Sequence, residues 1–209
     1  MTRDPRSADP MPNAFRAGQG NLSPAEEAMV ARRDRVLGPA YRLFYETPVH
    51  LVRGEGVWLY DADGNAYLDA YNNVASVGHC HPHVVAATAR QAAQLATHTR
   101  YLHDGVLDYA ERLLSHFPPE LSHVMFTCTG SEANDLAFRI ARAHTGGTGF
   151  IVTENAYHGV TYAIAGMSPS LGSGVDLGEH VRVVPAPTTG PDAGAVFAAG
   201  VEAAIRDLQ

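Results

Sequence analysis

Three short apolar runs, separated by tight turns, lie between residues 49 and 69. The runs cover residues 49–52, 57–60 and 66–69, and each of the two turns between them contains glycine. Runs of this length with turn residues between them are typical of β-strands joined as hairpins. The pattern therefore predicts a small antiparallel β-meander.

A helix is predicted before the meander, because both its start and its stop signals are present. Ser23 can cap the first turn, Pro24 suits the first helical position, and Glu26 completes a capping box. Gly38, which is followed by proline, ends the helix. Residues 1–24 are rich in proline and glycine and lack apolar periodicity, which predicts a mobile tail.

Beyond residue 80 the apolar residues recur with helical spacing, and the helices alternate with short strands. Helices are predicted over residues 82–97, 104–117, 131–144 and 192–209, with a short helix near His158 and strands at 123–127, 149–153 and from Val181. This alternation is typical of an α/β domain with a mainly parallel sheet and flanking helices. Three strands make a small sheet for this class, and the last helix reaches Gln209 without a stop signal, so we expect a truncated domain.

The helix predicted over 131–144 carries an apolar stripe along one face. Its members recur at i, i+3, i+4, i+7 and i+8, and they are Ala133, Leu136, Ala137, Ile140 and Ala141. A stripe of this width is typical of a helix that packs against a sheet. We therefore expect this face to be buried.

The sequence Thr129-Gly130-Ser131 joins the strand at 123–127 to this helix. The junction presents free backbone N–H groups, the positive end of a helix dipole and two hydroxyl groups. It lies at the carboxyl end of a strand, where open α/β sheets bind ligands, and glycine at 130 allows close approach of a phosphate. The residues alone leave two interpretations open: a phosphate site, or an ordinary turn with Ser131 as the N-cap.

Composition restricts the chemistry and the partners. The Lys+Arg total of 15 consists entirely of arginine, so the 209 residues contain no Walker A lysine and no Schiff-base lysine. The net charge of −7 argues against a nucleic-acid partner, and no apolar run is long enough for a membrane span. Cys80 and Cys128 lie far apart, which favours a reducing, cytoplasmic location over a disulfide.

Two clusters contain residue types that bind metals, but neither has a complete pattern. Residues 61–65 have the spacing of a calcium loop, but the glycine and the closing glutamate of that loop are missing. Residues 79–83 hold three histidines at alternate positions, but Pro82 would interrupt the strand that aligns them. We predict no metal site.

Further along, two motifs occur in a characteristic order, Thr-Gly-Ser-Glu-Ala-Asn at 129–134 and Ala-Tyr-His-Gly at 156–159. Together with the run GEGVWLYDADGNAYLDAYNNVASVGHCHP at 54–82, they resemble the class III aminotransferases, which have the type I fold and use pyridoxal 5′-phosphate. The resemblance covers residues 41–167. The segments NNVASVGHCHP and TRYLHDGVLDYAERL most resemble a subgroup of the family that includes phospholyases acting on phosphoethanolamine or phosphohydroxylysine.

This resemblance implies a cofactor site made of two segments. Gly130 and Ser131 would hold the phosphate of pyridoxal phosphate, and Thr129 would be a further cofactor-binding residue. Tyr157 would stack on the pyridine ring, and His158 would lie beside the ring. The residue type alone also allows Tyr157 to be an ordinary core residue.

The resemblance assigns further residues by motif position. Glu132 would lie near the ring, and Asn134 would support the residues that contact it. Tyr45, Asn72 and Asn73 are candidates for the substrate side of the site. Their assignment rests on position in the motif alone.

The family pattern also implies an organisation for the chain. A tail over 1–24 would precede the N-terminal segment of a small domain over 25–75, and a truncated large cofactor-binding domain would occupy 76–209. The intact enzyme would transfer an amino group from an amine or amino acid to an oxo acid or aldehyde, and it would form a homodimer.

Two residues of the family pattern are absent from these 209 residues, namely the Schiff-base lysine and the aspartate that pairs with the pyridinium nitrogen. Asp176 and Asp192 lie past the recognised motifs and receive no such role. The chain alone is therefore expected to be inactive. A phospholyase of the same family is the first alternative, and a non-catalytic remnant or binding module is the second.

Overall fold

The computed structural model describes four stretches of the chain, namely residues 14–18, 20–38, 41–187 and 190–209. The chain divides after Tyr109 into two compact units. This division follows contacts between residues, whereas the predicted boundary after residue 75 follows the family resemblance and stays a prediction. No helix in the described stretches is both long and apolar enough to cross a membrane.

The first unit contains a three-stranded sheet between helices. Its elements are α1 Pro24–Leu37, β1 Leu51–Glu55, β2 Trp58–Asp61, β3 Ala66–Leu68 and α2 Pro82–Gln94, and α3 Asp104–Leu114 spans the division. The strands pair antiparallel in the order β1-β2-β3, which confirms the predicted meander. Helices α2 and α3 each end about one turn earlier than predicted.

Helix α1 begins and ends where the local signals place it. The Ser23 hydroxyl accepts the N–H of Glu26 at 3.3 Å, and the Glu26 carboxylate accepts the N–H of Ser23 at 2.7 Å. The predicted capping box is therefore present. At the other end, Gly38 has φ 69° and donates its N–H to the carbonyl oxygen of Asp34, a conformation that favours glycine.

Most of the predicted tail, residues 1–13, lies outside the described residues. The part that the structure describes includes Ala14, which forms an isolated antiparallel bridge with Phe44. The N–H of Phe15 donates to the carbonyl oxygen of Leu43 at 2.9 Å. Backbone pairing therefore holds residues 14 and 15 against the segment that leads to the meander.

The Asp61 carboxylate organises the turn between β2 and β3. It accepts the N–H groups of Asp63 and Asn65 at 3.0 and 2.9 Å, the side-chain amide of Asn65 at 2.9 Å and the hydroxyl of Tyr67 at 2.8 Å. These hydrogen bonds, the Asn65 side chain first, lower the pKa of Asp61 from 3.8 to about 2. The calcium-like spacing of residues 61–65 therefore belongs to a turn that is closed by hydrogen bonds to the Asp61 carboxylate, without a metal ion.

This turn is expected to make the meander sensitive to acid. Because the pKa of Asp61 is lower in the folded state, its stabilising contribution is present above pH 3.8 and is lost as the pH falls towards about 2. Trp58, the sole tryptophan, lies in the neighbouring strand and reports the change by its fluorescence. Asp61→Asn should weaken the meander at neutral pH and flatten the titration between pH 4 and 2.

Asp63→Asn is the matched control, because Asp63 contributes its backbone N–H and not its carboxylate to the turn. This variant should titrate like the unmodified chain. Identical fluorescence titrations for Asp61→Asn and the unmodified chain would contradict the role given to Asp61.

The second unit has α/β organisation. Its further elements are α4 Gly130–Thr145, β4 Phe150–Thr153, α5 Tyr162–Ala165, β5 Val181–Val184 and α6 Ala193–Leu208, with a 3₁₀ helix at Pro169–Gly174. Strands β4 and β5 pair in parallel, with Phe150 opposite Val181 and Thr153 opposite Val184. The predicted combination of an antiparallel meander and a parallel sheet is confirmed.

The buried core of this unit lies where α4, α5 and the two strands meet. Its apolar side chains are Phe138, Val152, Ile164, Met167 and Val181, with Phe150 packed against them. The Phe138 and Phe150 ring centroids are 4.3 Å apart. This cluster fixes the position of α4, which begins within the first motif, and of α5, which follows the loop of the second motif.

The strand predicted at 123–127 is wrong, because the structure gives this segment no strand pairing. Among the described residues, β4 and β5 form a two-stranded sheet with each other. Met125 and Phe126 are exposed. An apolar run becomes a strand only when a neighbouring strand accepts and donates its backbone hydrogen bonds.

Two helix predictions in this unit also need correction. The short helix predicted near His158 begins at Tyr162, because Gly159 has φ 134°, which no helix accommodates. In α4 the predicted stripe is not the buried face: Phe138 is buried, whereas Ile140 is 52% exposed. One aromatic side chain offers the core more apolar area than the alanines of the stripe.

Candidate cofactor site

Thr129, and not Ser131, caps the first turn of α4. The Thr129 hydroxyl accepts the N–H of Glu132 at 3.1 Å, and its carbonyl oxygen accepts the hydroxyl of Thr127 at 3.0 Å. The Glu132 carboxylate reaches back to the N–H of Cys128 at 2.8 Å. The interpretation of Ser131 as an N-cap is therefore wrong, and the Ser131 hydroxyl serves another contact.

Ser131 and Asn134 connect α4 to the loop that carries the second motif. The Ser131 hydroxyl accepts the N–H of Val160 at 3.1 Å, and the Asn134 side-chain amide donates to the carbonyl oxygen of His158 at 2.6 Å. A Cβ at Gly159 would lie 2.5 Å from the Ser131 hydroxyl oxygen. The structure thus brings together the two motifs that the sequence separates.

The space above Gly130 suits an anion. A Cβ at this position would meet no heavy atom within 4 Å. Helix geometry leaves the N–H groups of Gly130 and Ser131 without a partner inside the helix, at the positive end of the helix dipole. The Ser131 hydroxyl accepts from Val160, so its own hydrogen can still donate to a ligand. These groups fit a phosphate.

Tyr157 presents an open aromatic face and precedes His158 in the loop that Asn134 and Ser131 contact. Its side chain is 61% exposed, so the interpretation of Tyr157 as a core residue is wrong. His158 is half-buried, and its N–H donates to the hydroxyl of Ser168 at 3.0 Å. The loop is therefore fixed through its backbone, while the Tyr157 ring remains free to contact a planar ligand.

The three candidates for the substrate side lie in the first unit. Tyr45 adopts φ 70°, and its ring lies edge-on to that of Phe44, with centroids 6.3 Å apart. Phe44 also contacts Tyr71 at 5.5 Å, which places Tyr45 close to the segment that contains Asn72 and Asn73. The Asn73 amide donates to the Asp69 carboxylate at 2.9 Å, and Asn72 is exposed.

Asp69 and His79 form a pair that the sequence did not reveal. His79 Nε2 lies 2.7 Å from Asp69 Oδ2, and both side chains are largely buried. The contact with His79, followed by those with Asn73 and Tyr71, holds the pKa of Asp69 below its usual value. The pair closes the loop that carries Asn72 and Asn73, and no local spacing signals a contact between residues ten positions apart.

Backbone pairing tightens the same closure. His79 and Gly56 exchange N–H···O bonds of 2.8 and 3.1 Å. A Cβ at Gly54 would lie 2.8 Å from His79 Cβ. Within the part of the chain that the structure describes, no group of three histidine, cysteine or acidic residues could hold a metal ion.

Comparisons with known proteins identify the family of the chain. The family model of the class III aminotransferases matches residues 43–185. The alanine–glyoxylate aminotransferase 2-like protein of Drosophila melanogaster is 43% identical over 159 residues, which are 74% of this chain and 32% of that protein. The ethanolamine-phosphate phospho-lyase homolog 1 of Caenorhabditis elegans is 39% identical over 167 residues, or 78% of this chain and 36% of that protein.

A solved structure gives the same result for the fold. An Arthrobacter phospholyase in complex with phosphoethanolamine superposes with a TM-score of 0.80 at 44% identity, covering 87% of this chain and 44% of that chain. The fold defines the chain as part of a type I pyridoxal-phosphate fold. The chain belongs to the class III aminotransferase family, whose cofactor is pyridoxal phosphate. It spans about a third of the length of the curated relatives above.

Proposed function

We propose that this chain provides the phosphate-binding and ring-facing parts of the pyridoxal-phosphate site of a class III aminotransferase. The observation that carries the proposal is the contact between the two motifs. Ser131 and Asn134 on α4 bond directly to the backbone of residues 158–160. A ligand that carries both a phosphate group and an aromatic ring needs an anion-binding turn and a ring-contacting side chain close together.

In this proposal the first turn of α4 holds the phosphate. The N–H groups of Gly130 and Ser131 and the Ser131 hydroxyl donate hydrogen bonds to its oxygens, and the helix dipole favours its charge. Thr129 and Glu132 shape this turn through their mutual cap and the Cys128 N–H. Glu132 would therefore influence the cofactor indirectly, by shaping the turn that holds the phosphate. Its position near the ring stays a prediction from the family resemblance.

The loop at 157–160 orients the ring. Tyr157 offers the aromatic face on which the pyridine ring stacks, and His158 lies beside it. When bound, pyridoxal phosphate supplies the aldehyde that takes up an amine and the ring that stabilises negative charge on the adjacent carbon. The 209 residues contain no lysine, so the covalent attachment of the cofactor does not involve a side chain of this segment.

The whole protein would transfer an amino group from an amine or amino acid to an oxo acceptor. Tyr45, Asn72 and Asn73 would face the substrate, with Asn73 held in place by Asp69 and His79. A homodimer and a cytoplasmic location stay predictions. The free thiols of Cys80 and Cys128 support a reducing compartment.

A phospholyase activity is the second candidate, and a specific observation favours it. The Arthrobacter phospholyase is 44% identical to this chain, and a second relative is named as a phospholyase homolog. Such an enzyme eliminates phosphate and ammonia from a phosphorylated amine with the same cofactor. The sites proposed for Gly130, Ser131 and Tyr157 serve both reactions.

Assays on the whole protein that contains this chain distinguish the two reactions. An aminotransferase should consume more than one equivalent of amine only when an oxo acid is present, and it should release no phosphate from phosphoethanolamine. A phospholyase should release inorganic phosphate and ammonia without an oxo acid. If the cofactor-loaded protein showed neither of these two activities, that result would contradict the proposed function and favour the non-catalytic interpretation.

A further inference from the structure

Ser168, a residue outside both motifs, lies under the loop that carries Tyr157 and His158. Its side chain is almost fully buried, with 1% exposure, beside Ile164 and Met167. The hydroxyl accepts the N–H of His158 at 3.0 Å. Its single hydrogen faces the carbonyl oxygens of Gly159 and Ile164 at 3.1 and 2.9 Å.

Only part of this bonding is needed to satisfy a buried serine. A hydroxyl near the end of a helix commonly donates to the carbonyl oxygen four residues earlier, and Ile164 occupies that position. The contacts with His158 and Gly159 are additional, and they reach a segment nine and ten positions away. Ser168 thus joins the end of α5 to the loop.

The opposite side of the loop is held by α4. Asn134 binds the carbonyl oxygen of His158, and Ser131 binds the N–H of Val160. Ser168 binds two further polar groups of this turn, the N–H of His158 and the carbonyl oxygen of Gly159. The backbone is therefore held from both sides. The adjoining Tyr157 is 61% exposed, so little packing holds its ring, and the position of its backbone depends on these hydrogen bonds.

We propose that Ser168 is a positioning residue for the ring-facing loop. It fixes the position and orientation of Tyr157 and His158 by holding the backbone of their loop against the end of α5, while α4 holds the phosphate. The inference rests on the proposed function of Tyr157 and His158. It adds a residue that touches neither the cofactor nor the substrate and acts through the loop alone.

Amide hydrogen exchange on the 209-residue chain tests the anchoring without any ligand. Ser168→Ala removes the hydroxyl, and Ser168→Cys keeps the shape of the side chain, with a larger atom in place of the oxygen, while weakening its hydrogen bonds. The amides of His158 and Val160 should exchange about tenfold faster in both variants, with β4 and β5 still protected. Ser170→Ala, which removes an exposed hydroxyl in the same segment, should leave exchange unchanged.

Ligand binding provides a second readout. Pyridoxine 5′-phosphate carries the ring and the phosphate but no aldehyde, so it reports non-covalent binding. Ser168→Ala and Ser168→Cys should weaken its binding about threefold to tenfold and leave binding of inorganic phosphate unchanged, because α4 retains its first turn.

The outcomes separate the two proposals. Wild-type exchange at His158 and Val160 in Ser168→Cys would overturn the positioning role, whatever the ligand does. Failure of the unmodified chain to bind pyridoxine 5′-phosphate would count against the proposed function, while the exchange rates would still decide whether Ser168 anchors the loop. Equal weakening of phosphate and pyridoxine 5′-phosphate would also overturn the inference, because a loop anchor affects only the ring.

Discussion

Gly159→Ala is expected to destabilise the second unit by about 2–4 kcal/mol and to abolish cofactor binding. Gly159 is buried and has φ 134°, a conformation that alanine rarely adopts. The added Cβ would lie 2.5 Å from the Ser131 hydroxyl oxygen and 2.7 Å from Ser131 Cα. Because one of these atoms belongs to the helix backbone, the loop and α4 would have to separate.

Urea denaturation followed by circular dichroism measures the first effect. Gly194→Ala is the matched control, because a Cβ at Gly194 would meet no heavy atom within 4 Å and its φ is not positive. The control should lie within about 1 kcal/mol of the unmodified chain. A Gly159→Ala chain as stable as this control would contradict the close contact between the two motifs.

Gly130→Val should eliminate phosphate-dependent binding while leaving the fold intact. A Cβ at Gly130 would meet no heavy atom of the surrounding structure within 4 Å, so we expect the fold to tolerate valine, whose side chain would occupy the volume assigned to the phosphate. Ser131→Ala should cost about 1.5–3 kcal/mol of binding, roughly a tenfold to hundredfold loss of affinity. It removes a charge-assisted hydrogen bond and the contact with Val160.

Calorimetric titration with pyridoxine 5′-phosphate and with pyridoxine measures the contribution of the phosphate as the ratio of the two affinities. Ser122→Ala removes an exposed hydroxyl in the same unit and should leave this ratio unchanged. Unchanged ratios in both Gly130→Val and Ser131→Ala would return residues 129–131 to the interpretation of an ordinary turn.

Features with local causes could be predicted from the sequence. Helix α1 follows from the capping box of Ser23 and Glu26, whose hydrogen bonds span three positions. The meander follows from its glycine-containing turns, and the turn at Asp61 contains every group that closes it. The phosphate-binding role predicted for Gly130 and Ser131 has the same kind of local basis, because the start of a helix presents N–H groups without partners inside the helix.

Features that depend on distant partners could not be predicted in the same way. The run at 123–127 has the composition of a strand, but no local signal supplies a neighbour to pair with it. The stripe on α4 has the spacing of a buried helix face, but Phe138 is the residue that is buried, because its ring packs against that of Phe150.

The contacts that define the site have the same character. Ser131 meets Val160 across 29 positions, and Asn134 meets His158 across 24. Ser168 and the Asp69–His79 pair likewise act on partners about ten positions away. The sequence names the residue types of the site, whereas their contacts arise only when α4, α5 and the loop fold together.

The proposed function requires that the first turn of α4 holds the phosphate of pyridoxal phosphate. The most direct measurement is a titration of the isotopically labelled chain with pyridoxine 5′-phosphate, followed by the amide resonances in nuclear magnetic resonance spectra. The amides of Gly130 and Ser131 should shift most and saturate, and pyridoxine without its phosphate should leave them in place. Saturating shifts confined to other residues, or equal shifts with pyridoxine, would contradict the claim.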